Sequence, residues 1–191
     1  QPVPADGATD VSLAATLDWR PGREAASHTV YFGADSEAVA AGAVAAKTVT
    51  DHSFTPAGME YGVEYFWKVD EVGDAGTYAS DVWNFTTEAF AVVDDFESYN
   101  NKENRIYQTW VDGLTDDASG SQVGYDESPF AEMTVIHGGR QAMPLIYDNA
   151  SFAFSEATRT FSPAQDWTAR SVKTLAIHFA GAAGNGGQLY V

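Results

Sequence analysis

Three carboxylates stand within four positions of the run VVDDFESYN, at Asp94, Asp95 and Glu97. If the run is a β-strand, Asp95 and Glu97 share one face and Asp94 lies on the other, because side chains alternate along a strand. Two acids on one face could form a glycosidase pair, but such pairs usually come from separate strands across a cleft. Oxygen ligands suit a hard cation better, so the spacing favours Ca²⁺ coordination, with exposed or capping acids as the alternative.

A second group of acids lies in the polar run DGLTDDASGSQVGYDES. It lacks the fixed aspartate spacing and the closing glutamate of an EF-hand loop. Two interpretations stay open for this run, a second and weaker Ca²⁺ site or a solvated loop. Its acidic residues are Asp112, Asp116, Asp117, Asp126 and Glu127.

Aromatic and hydrogen-bonding side chains in the second half of the chain are typical of a sugar-binding surface. Sugar C–H faces stack on exposed rings, and polar side chains hold the hydroxyl groups. The aromatic candidates are Tyr107, Trp110, Tyr125, Tyr147 and Trp167. The polar candidates are Arg140, Gln141, Asp148 and Asn149, beside apolar runs at predicted strand ends. For Trp110 and Trp167, packing in the core or at an edge is the alternative.

The sequence contains no motif for other kinds of chemistry. There is no cysteine, which excludes disulfides, thiolate nucleophiles and Cys-ligated zinc. The four histidines do not form an HxH or HExxH pattern, and GxSxG, SxxK and GxxxxGK are absent. We therefore do not expect an enzyme.

The composition is that of a folded, acidic protein. Of the 191 residues, 45% are hydrophobic and 13% aromatic, which is ample for a packed core. Twenty-seven acidic residues against 10 basic ones give a formal net charge of −17. Such a surface repels phosphate backbones, which argues against nucleic acid as a partner, and it suits a cationic partner or a solvated acidic coat. Membrane insertion is not expected, because no apolar run approaches the roughly 20 residues of a spanning helix.

The first 88 residues carry short alternating apolar runs separated by Gly, Pro and Asp turns, which predicts a set of β-strands. The strongest run is YGVEYFWKVDEV, in which Tyr65, Trp67 and Val69 share one face. The Ala-rich run EAVAAGAVAAK is open to two interpretations, a short helix or an edge segment, because its glycine lowers helix propensity. Several short strands at this spacing favour a β-sandwich.

These residues resemble a fibronectin type III domain of bacterial extracellular proteins. The resemblance rests on TLDW, HTVYFG, YGVEYFWKVDEV and SDVWNFTT, and it covers residues 1–88. It implies that Trp19 is the buried tryptophan of an early strand and that Tyr65 is the tyrosine that pins a corner of the sandwich. It also implies a spacer module.

Residues 89–191 carry further strand-like runs. AVVDDFESY, RIYQTWVDG, FAFSEATRTF and SVKTLAIHFAG are each predicted to form a strand, and AEMTVIHGGRQAMPLIYDN two strands around Gly138 and Gly139. Their order resembles the galactose-binding-like jelly-roll modules of bacterial, planctomycete-type secreted proteins. Because GNGGQLYV stops inside a strand-like run, we expect the jelly roll to be incomplete and the chain to be a piece of a longer protein.

The second resemblance carries the functional expectation. Many modules of this kind bind carbohydrate, and their first and last strands share a structural Ca²⁺ site. It therefore implies Asp95, Glu97 and Asp94 as calcium ligands, although the closing strand has no counterpart in this sequence. The expectation is an all-β, extracellular or cell-surface chain that binds a polysaccharide beside other domains of the same larger protein. The alternative is a structural or adhesive cell-envelope component without a sugar ligand.

Overall fold

The structure, a computed structural model, describes residues 1–191 apart from the side chain of Asp116. It is mostly β with a few short helices. The chain divides into two compact units. Unit 1 comprises Gln1–Ala91 and Thr168–Lys173, and unit 2 comprises Val92–Trp167 and Thr174–Val191. The domain limits drawn from the sequence, 1–88 and 89–191, stay a prediction.

Unit 1 is built around one mixed, six-stranded sheet. The elements of the unit are β1 (Ala8–Val11), β2 (Leu17–Asp18), β3 (Ser27–Gly33), α1 (Ser36–Ala40), β4 (Ala46–Val49), β5 (Ser53–Phe54), β6 (Glu64–Gly73), β7 (Gly76–Ala79), β8 (Trp83–Thr87) and a 3₁₀ turn at Ala169–Ser171. The sheet has the order β1-β8-β6-β3-β4, and β7 also pairs with β6. β1 runs parallel to β8, and the other pairs are antiparallel. β2 and β5 form a separate antiparallel ladder.

The strand β6 is central because its alternating sequence gives the sheet one continuous apolar face. Tyr65, Trp67 and Val69 are buried on that face, as predicted. They pack in one cluster with Val30 of β3 and Phe85 of β8. Burial of these apolar side chains stabilises unit 1.

Trp19 is buried directly after β2, not within it, and the Tyr65 hydroxyl is bonded to the backbone. Trp19 is only 3% exposed, which confirms its predicted burial, and its ring lies edge-on to that of His28 at 5.4 Å. The hydroxyl of Tyr65 accepts a hydrogen bond from the backbone N–H of Glu60 at 3.0 Å. A corner tyrosine makes this kind of bond to the backbone a few residues upstream.

Both interpretations of the Ala-rich run apply, to different parts of it. Asp35 caps α1, since its carboxylate accepts hydrogen bonds from the N–H groups of Glu37 and Ala38 at 3.0 and 3.1 Å. The helix ends at Ala40, ahead of Gly42, which has a positive φ of 69°. The end of the run then joins β4 at the edge of the sheet.

Unit 2 contains shorter elements and a smaller core. They are α2 (Ile106–Thr109), β9 (Trp110–Asp112), α3 (Gly113–Asp116), β10 (Ser121–Val123), β11 (Leu145–Tyr147) and β12 (Ala157–Arg159). β10 pairs with β11 and β9 with β12, both antiparallel. The buried core residues are Tyr99, Ile106 and Val123. In the described chain, no helix combines the length and hydrophobicity needed to cross a bilayer.

Several strand predictions in unit 2 are wrong. Residues 90–99 form bends and turns, and RIYQT begins with the helical turn α2 before β9. The two strands predicted around Gly138–Gly139 reduce to one bridge between Glu132 and Ala142, followed by β11. SVKTLAIHFAG forms no strand in the described structure, and its Phe179 is 79% exposed. Alternation specifies a face, whereas a strand also needs a neighbouring edge that can exchange hydrogen bonds with it.

Candidate functional site

The acidic run at residues 94–97 forms two overlapping turns. Asp94 Oδ1 accepts a hydrogen bond from the N–H of Phe96 at 2.9 Å, and Asp95 Oδ1 accepts one from the N–H of Glu97 at 3.0 Å. Phe96 has φ of 62°, in the left-handed region, which breaks an extended strand. Short acidic side chains compete with strand ladders by bonding to their own backbone in this way. The predicted strand, with Asp95 and Glu97 on one face, is therefore wrong.

Asp94 is the acceptor of a nearly buried polar network. Its side chain is only 7% exposed, and Oδ2 accepts hydrogen bonds from the hydroxyl of Tyr99 at 2.7 Å and from Trp110 Nε1 at 2.8 Å. Arg159 Nη1 also donates to Oδ2 and to the backbone carbonyl of Val93. Burial, and then the hydrogen bond to Asp94, raise the pKa of Tyr99. Trp110, a sugar candidate by sequence, thus donates its indole N–H within the fold.

Glu97 joins two segments that are far apart in sequence. Its Oε1 accepts hydrogen bonds from the backbone N–H groups of Arg140 and Gln141 at 2.7 and 3.1 Å, and Oε2 accepts one from Arg140 Nε at 3.0 Å. The backbone bond from Arg140 is the first cause that lowers the pKa of Glu97, followed by the side-chain bond. Gly139 makes this approach possible, because it has a positive φ of 71° and a Cβ there would meet the Glu97 carboxylate.

The Glu97–Arg140 contact forms one wall of an open groove of about 270 Å³ in unit 2. Asn100, Asn101, Phe130, Met133, Arg140 and Gln141 contribute to its lining. The side chain of Arg140 is 80% exposed, so its guanidinium is available to a ligand. Gln141 is held in place because its Nε2 donates to the backbone carbonyls of Phe96 and Tyr99. We call this site the Arg140 groove.

Of the sugar candidates, Arg140 and Gln141 line the groove and Tyr107 lies behind it. The Tyr107 ring packs edge-on against Phe130 with centroids 5.3 Å apart, and its hydroxyl accepts a hydrogen bond from Arg105 Nη1 at 3.0 Å. Tyr125 donates a hydrogen bond from its hydroxyl to Glu132, and its backbone N–H donates to the carbonyl of Phe130 at 3.0 Å.

The remaining sugar candidates lie outside the groove lining. Tyr147 is exposed on β11, where it pairs with Ser121. Asn149 Oδ1 accepts a hydrogen bond from Ser155 Oγ at 2.6 Å, and Asp148 caps the turn that follows it. Trp167 packs edge-on against Phe161, with ring centroids 5.6 Å apart. The structure therefore does not assemble all predicted ligand-binding residues into one site.

The predicted calcium ligands do not converge. Among the described residues, no group of three His, Cys, Asp or Glu side chains could hold a metal ion. Asp94 and Glu97 are each paired with an arginine, and Asp95 bonds to its own turn, so this arrangement does not fit a Ca²⁺ ion. Calcium binding stays a prediction.

Two acids of the polar run 112–128, Asp112 and Asp126, have local structural partners. Asp112 is buried and caps α3 by accepting a hydrogen bond from the N–H of Thr115 at 2.9 Å. Asp126 accepts a hydrogen bond from Gln122 Nε2 at 2.7 Å. The side chain of Asp116 lies outside the described part of the structure.

The groove contains residues that sequence reasoning missed. Asn100, Asn101, Phe130 and Met133 were not among the sugar candidates. The one signal that could have found the first two is the Asn-Asn pair in SYNNKEN, which is too polar for a strand and follows the acidic run directly.

The chain was compared with protein-family models, with curated proteins and with solved structures, and none of them matches it. The two family resemblances therefore stay predictions.

Proposed function

We propose that this chain is a non-catalytic carbohydrate-binding part of a larger secreted or cell-surface protein. The observation that carries the proposal is the Arg140 groove. It combines an exposed guanidinium held by Glu97 with the side-chain amides of Asn100, Asn101 and Gln141.

The lining of the groove suits the two kinds of surface on a sugar. Phe130 and Met133 offer apolar contacts for C–H faces, and the NH₂ groups of Asn100 and Asn101 and the guanidinium of Arg140 offer hydrogen bonds to oxygen atoms. A volume of about 270 Å³ is close to the lower limit of small-ligand sites. This size favours one unit of a saccharide chain whose neighbouring units stay in solvent.

The charges of the acidic residues support binding without catalysis. A general acid in a glycosidase needs a raised pKa so that it carries a proton at working pH. Glu97 has the opposite environment, because three N–H donors lower its pKa. Asp94 is paired with Arg159 and has little contact with solvent.

The proposed architecture is a fibronectin type III-like spacer followed by an incomplete galactose-binding-like jelly roll. Burial of Trp19 and the bond from Glu60 N–H to the Tyr65 hydroxyl support the first part. The antiparallel ladders of unit 2 are consistent with the second. An extracellular or cell-surface location and other domains of the same protein as partners belong to this proposal. A net charge of −17 argues against nucleic acid as a partner.

A structural or adhesive role is the second candidate, and one observation favours it. Unit 2 exposes several large apolar side chains, among them Leu114, Ile146, Tyr147 and Phe179. Exposed apolar surface of this kind is typical of faces that contact another protein segment.

Affinity electrophoresis of the intact chain through gels that contain different polysaccharides tests the proposal. We expect at least one polysaccharide to retard the wild-type chain and Arg140→Ala to abolish that retardation. Arg23→Ala is the matched control, because Arg23 is an exposed arginine of unit 1. Free migration in every gel would reject carbohydrate binding, and equal retardation of Arg140→Ala would reject the groove as its site.

A further inference from the structure

The amide side chains of Asn100 and Asn101 use their oxygen atoms within the fold. Asn100 Oδ1 accepts hydrogen bonds from the backbone N–H groups of Lys102 and Glu103 at 2.8 and 2.9 Å. Asn101 Oδ1 accepts one from the N–H of Phe130 at 3.0 Å. These bonds determine which end of each amide is the oxygen. The NH₂ groups of both asparagines have no acceptor among the described residues, so they remain as donors.

Arg140 adds a charged donor to the same groove. Its Nε is occupied by Glu97 Oε2, and no described residue accepts a hydrogen bond from its Nη atoms. Because Glu97 holds one edge of the guanidinium, the exposed side chain is oriented before a ligand arrives. Arginine presents its donors in a planar fork that matches the two oxygen atoms of a carboxylate.

The local charge of the groove differs from that of the whole chain. Glu97 is the acidic residue of the lining, and Arg140 offsets its charge. Arg105 lies outside the lining, with its guanidinium carbon 5.3 Å from the centroid of the Phe130 ring. The charges of the lining thus cancel, and free donors of Arg140, Asn100 and Asn101 remain, although the chain carries a net charge of −17.

We propose that the Arg140 groove selects a saccharide that carries a carboxylate, such as a uronic acid unit. This inference rests on the proposed carbohydrate binding and specifies the class of sugar. The carboxylate accepts hydrogen bonds from the Arg140 Nη atoms and from the NH₂ groups of Asn100 and Asn101. A neutral sugar at the same place leaves the guanidinium without a charged partner.

Isothermal titration of the intact chain with a short oligogalacturonide and with its fully methyl-esterified counterpart tests the inference. The two ligands have the same rings and differ in whether the carboxylate is free. We expect the free acid to bind at least ~10-fold more tightly, the ratio expected for one hydrogen bond to a charged group. The titrations are done in 0.15 M salt, which limits repulsion by the acidic surface.

Asn101→Asp is the decisive variant. It keeps an oxygen for the N–H of Phe130 and replaces the free NH₂ donor with a negatively charged oxygen. We expect it to weaken binding of the free acid by at least ~10-fold and to leave binding of the ester nearly unchanged. If Asn101→Asp does not fold, Asn100→Asp makes the same change from a free NH₂ donor to a negatively charged oxygen in the groove. Asn185→Asp makes the same chemical change on an exposed residue outside the groove lining and should leave both affinities unchanged.

The outcomes separate this inference from the proposed function. Equal binding of acid and ester, or an Asn101→Asp variant that keeps the preference for the acid, would overturn carboxylate selection and leave carbohydrate binding in place. Binding of neutral saccharides alone would do the same. If neither these two ligands nor any polysaccharide in the gels binds, the proposed function fails together with the inference.

Discussion

Asp94 and Asp95 are adjacent acids with very different surroundings, and their replacement should have very different costs. Asp94→Ala removes the acceptor for the Tyr99 hydroxyl, Trp110 Nε1 and Arg159 Nη1 and leaves these donors without that partner. Removing one partner of a buried ion pair typically costs about 3–5 kcal/mol. Arg159 is 23% exposed and can regain some water, so we expect the lower end, about 3 kcal/mol. Asp95→Ala loses one exposed turn bond and should cost about 1 kcal/mol or less.

Hydrogen exchange of the backbone amides under native conditions measures these costs separately for the two units. The amides of β10 report on unit 2, and those of β6 in unit 1 are an internal reference that should not change. The loss of stability in Asp94→Asn should lie between the losses in the two alanine variants, because asparagine keeps one acceptor oxygen and lacks the charge. A loss below about 1 kcal/mol for Asp94→Ala, or an equal loss for Asp95→Ala, would refute the buried network.

Four further results are expected. Trp19→Ala should lower the stability of unit 1 by about 3–5 kcal/mol in urea unfolding, as for other emptied aromatic core sites, and a loss below about 1 kcal/mol would mean that its packing is unimportant. The hydrogen bond from the Thr134 side chain, with others, lowers the pKa of Glu132 from 4.5 to about 2, so its contribution to the stability of unit 2 is complete above pH 4.5 and lost as the pH falls towards 2. The melting temperature should therefore fall less steeply with decreasing pH for Glu132→Gln than for the wild type. Parallel dependence of the two melting temperatures on pH would contradict this. Gly139→Ala should weaken retardation in the polysaccharide gels, because its Cβ meets the Glu97 carboxylate that holds Arg140, and unchanged retardation would remove Glu97 from the site. Millimolar Ca²⁺ should leave the melting midpoint almost unchanged, since the Glu97 carboxylate is already paired with Arg140. A rise in the midpoint that Glu97→Gln abolishes would restore the assignment of Glu97 as a calcium ligand.

The sequence predicted unit 1 well where one long strand dominates. The alternation of Tyr65, Trp67 and Val69 specified a buried face, and β6 has neighbours on both sides that allow this pattern to become a strand. Trp19 was also placed correctly in the core. In these positions local preference and long-range packing favour the same structure.

Unit 2 was harder to predict because local bonds competed with the strand pattern. In the run that contains Asp94 and Asp95, both carboxylates bond to the backbone two residues on, and Phe96 turns the chain. The groove joins residues 97–101 with residues 129–133 and 140–141, which lie about thirty and about forty positions further along the chain. Such long-range contacts cannot be read from periodicity. Arg140 and Gln141 were found from their residue types, whereas Asn100 and Asn101 were not.

The most direct test of the carbohydrate-binding groove is an NMR titration of the intact chain with a short oligomer of a polysaccharide that retards it in the gels, observed through backbone amide, side-chain amide and arginine N–H resonances. We expect the largest shifts at the side-chain NH₂ groups of Asn100 and Asn101, at the guanidinium of Arg140 and at the backbone N–H of Gln141. Resonances of unit 1 and of Tyr147 should stay in place and so act as the internal control. Shifts centred on Tyr147 or Trp167, or no shifts at ligand concentrations that retard the chain in gels, would contradict the assignment of the site.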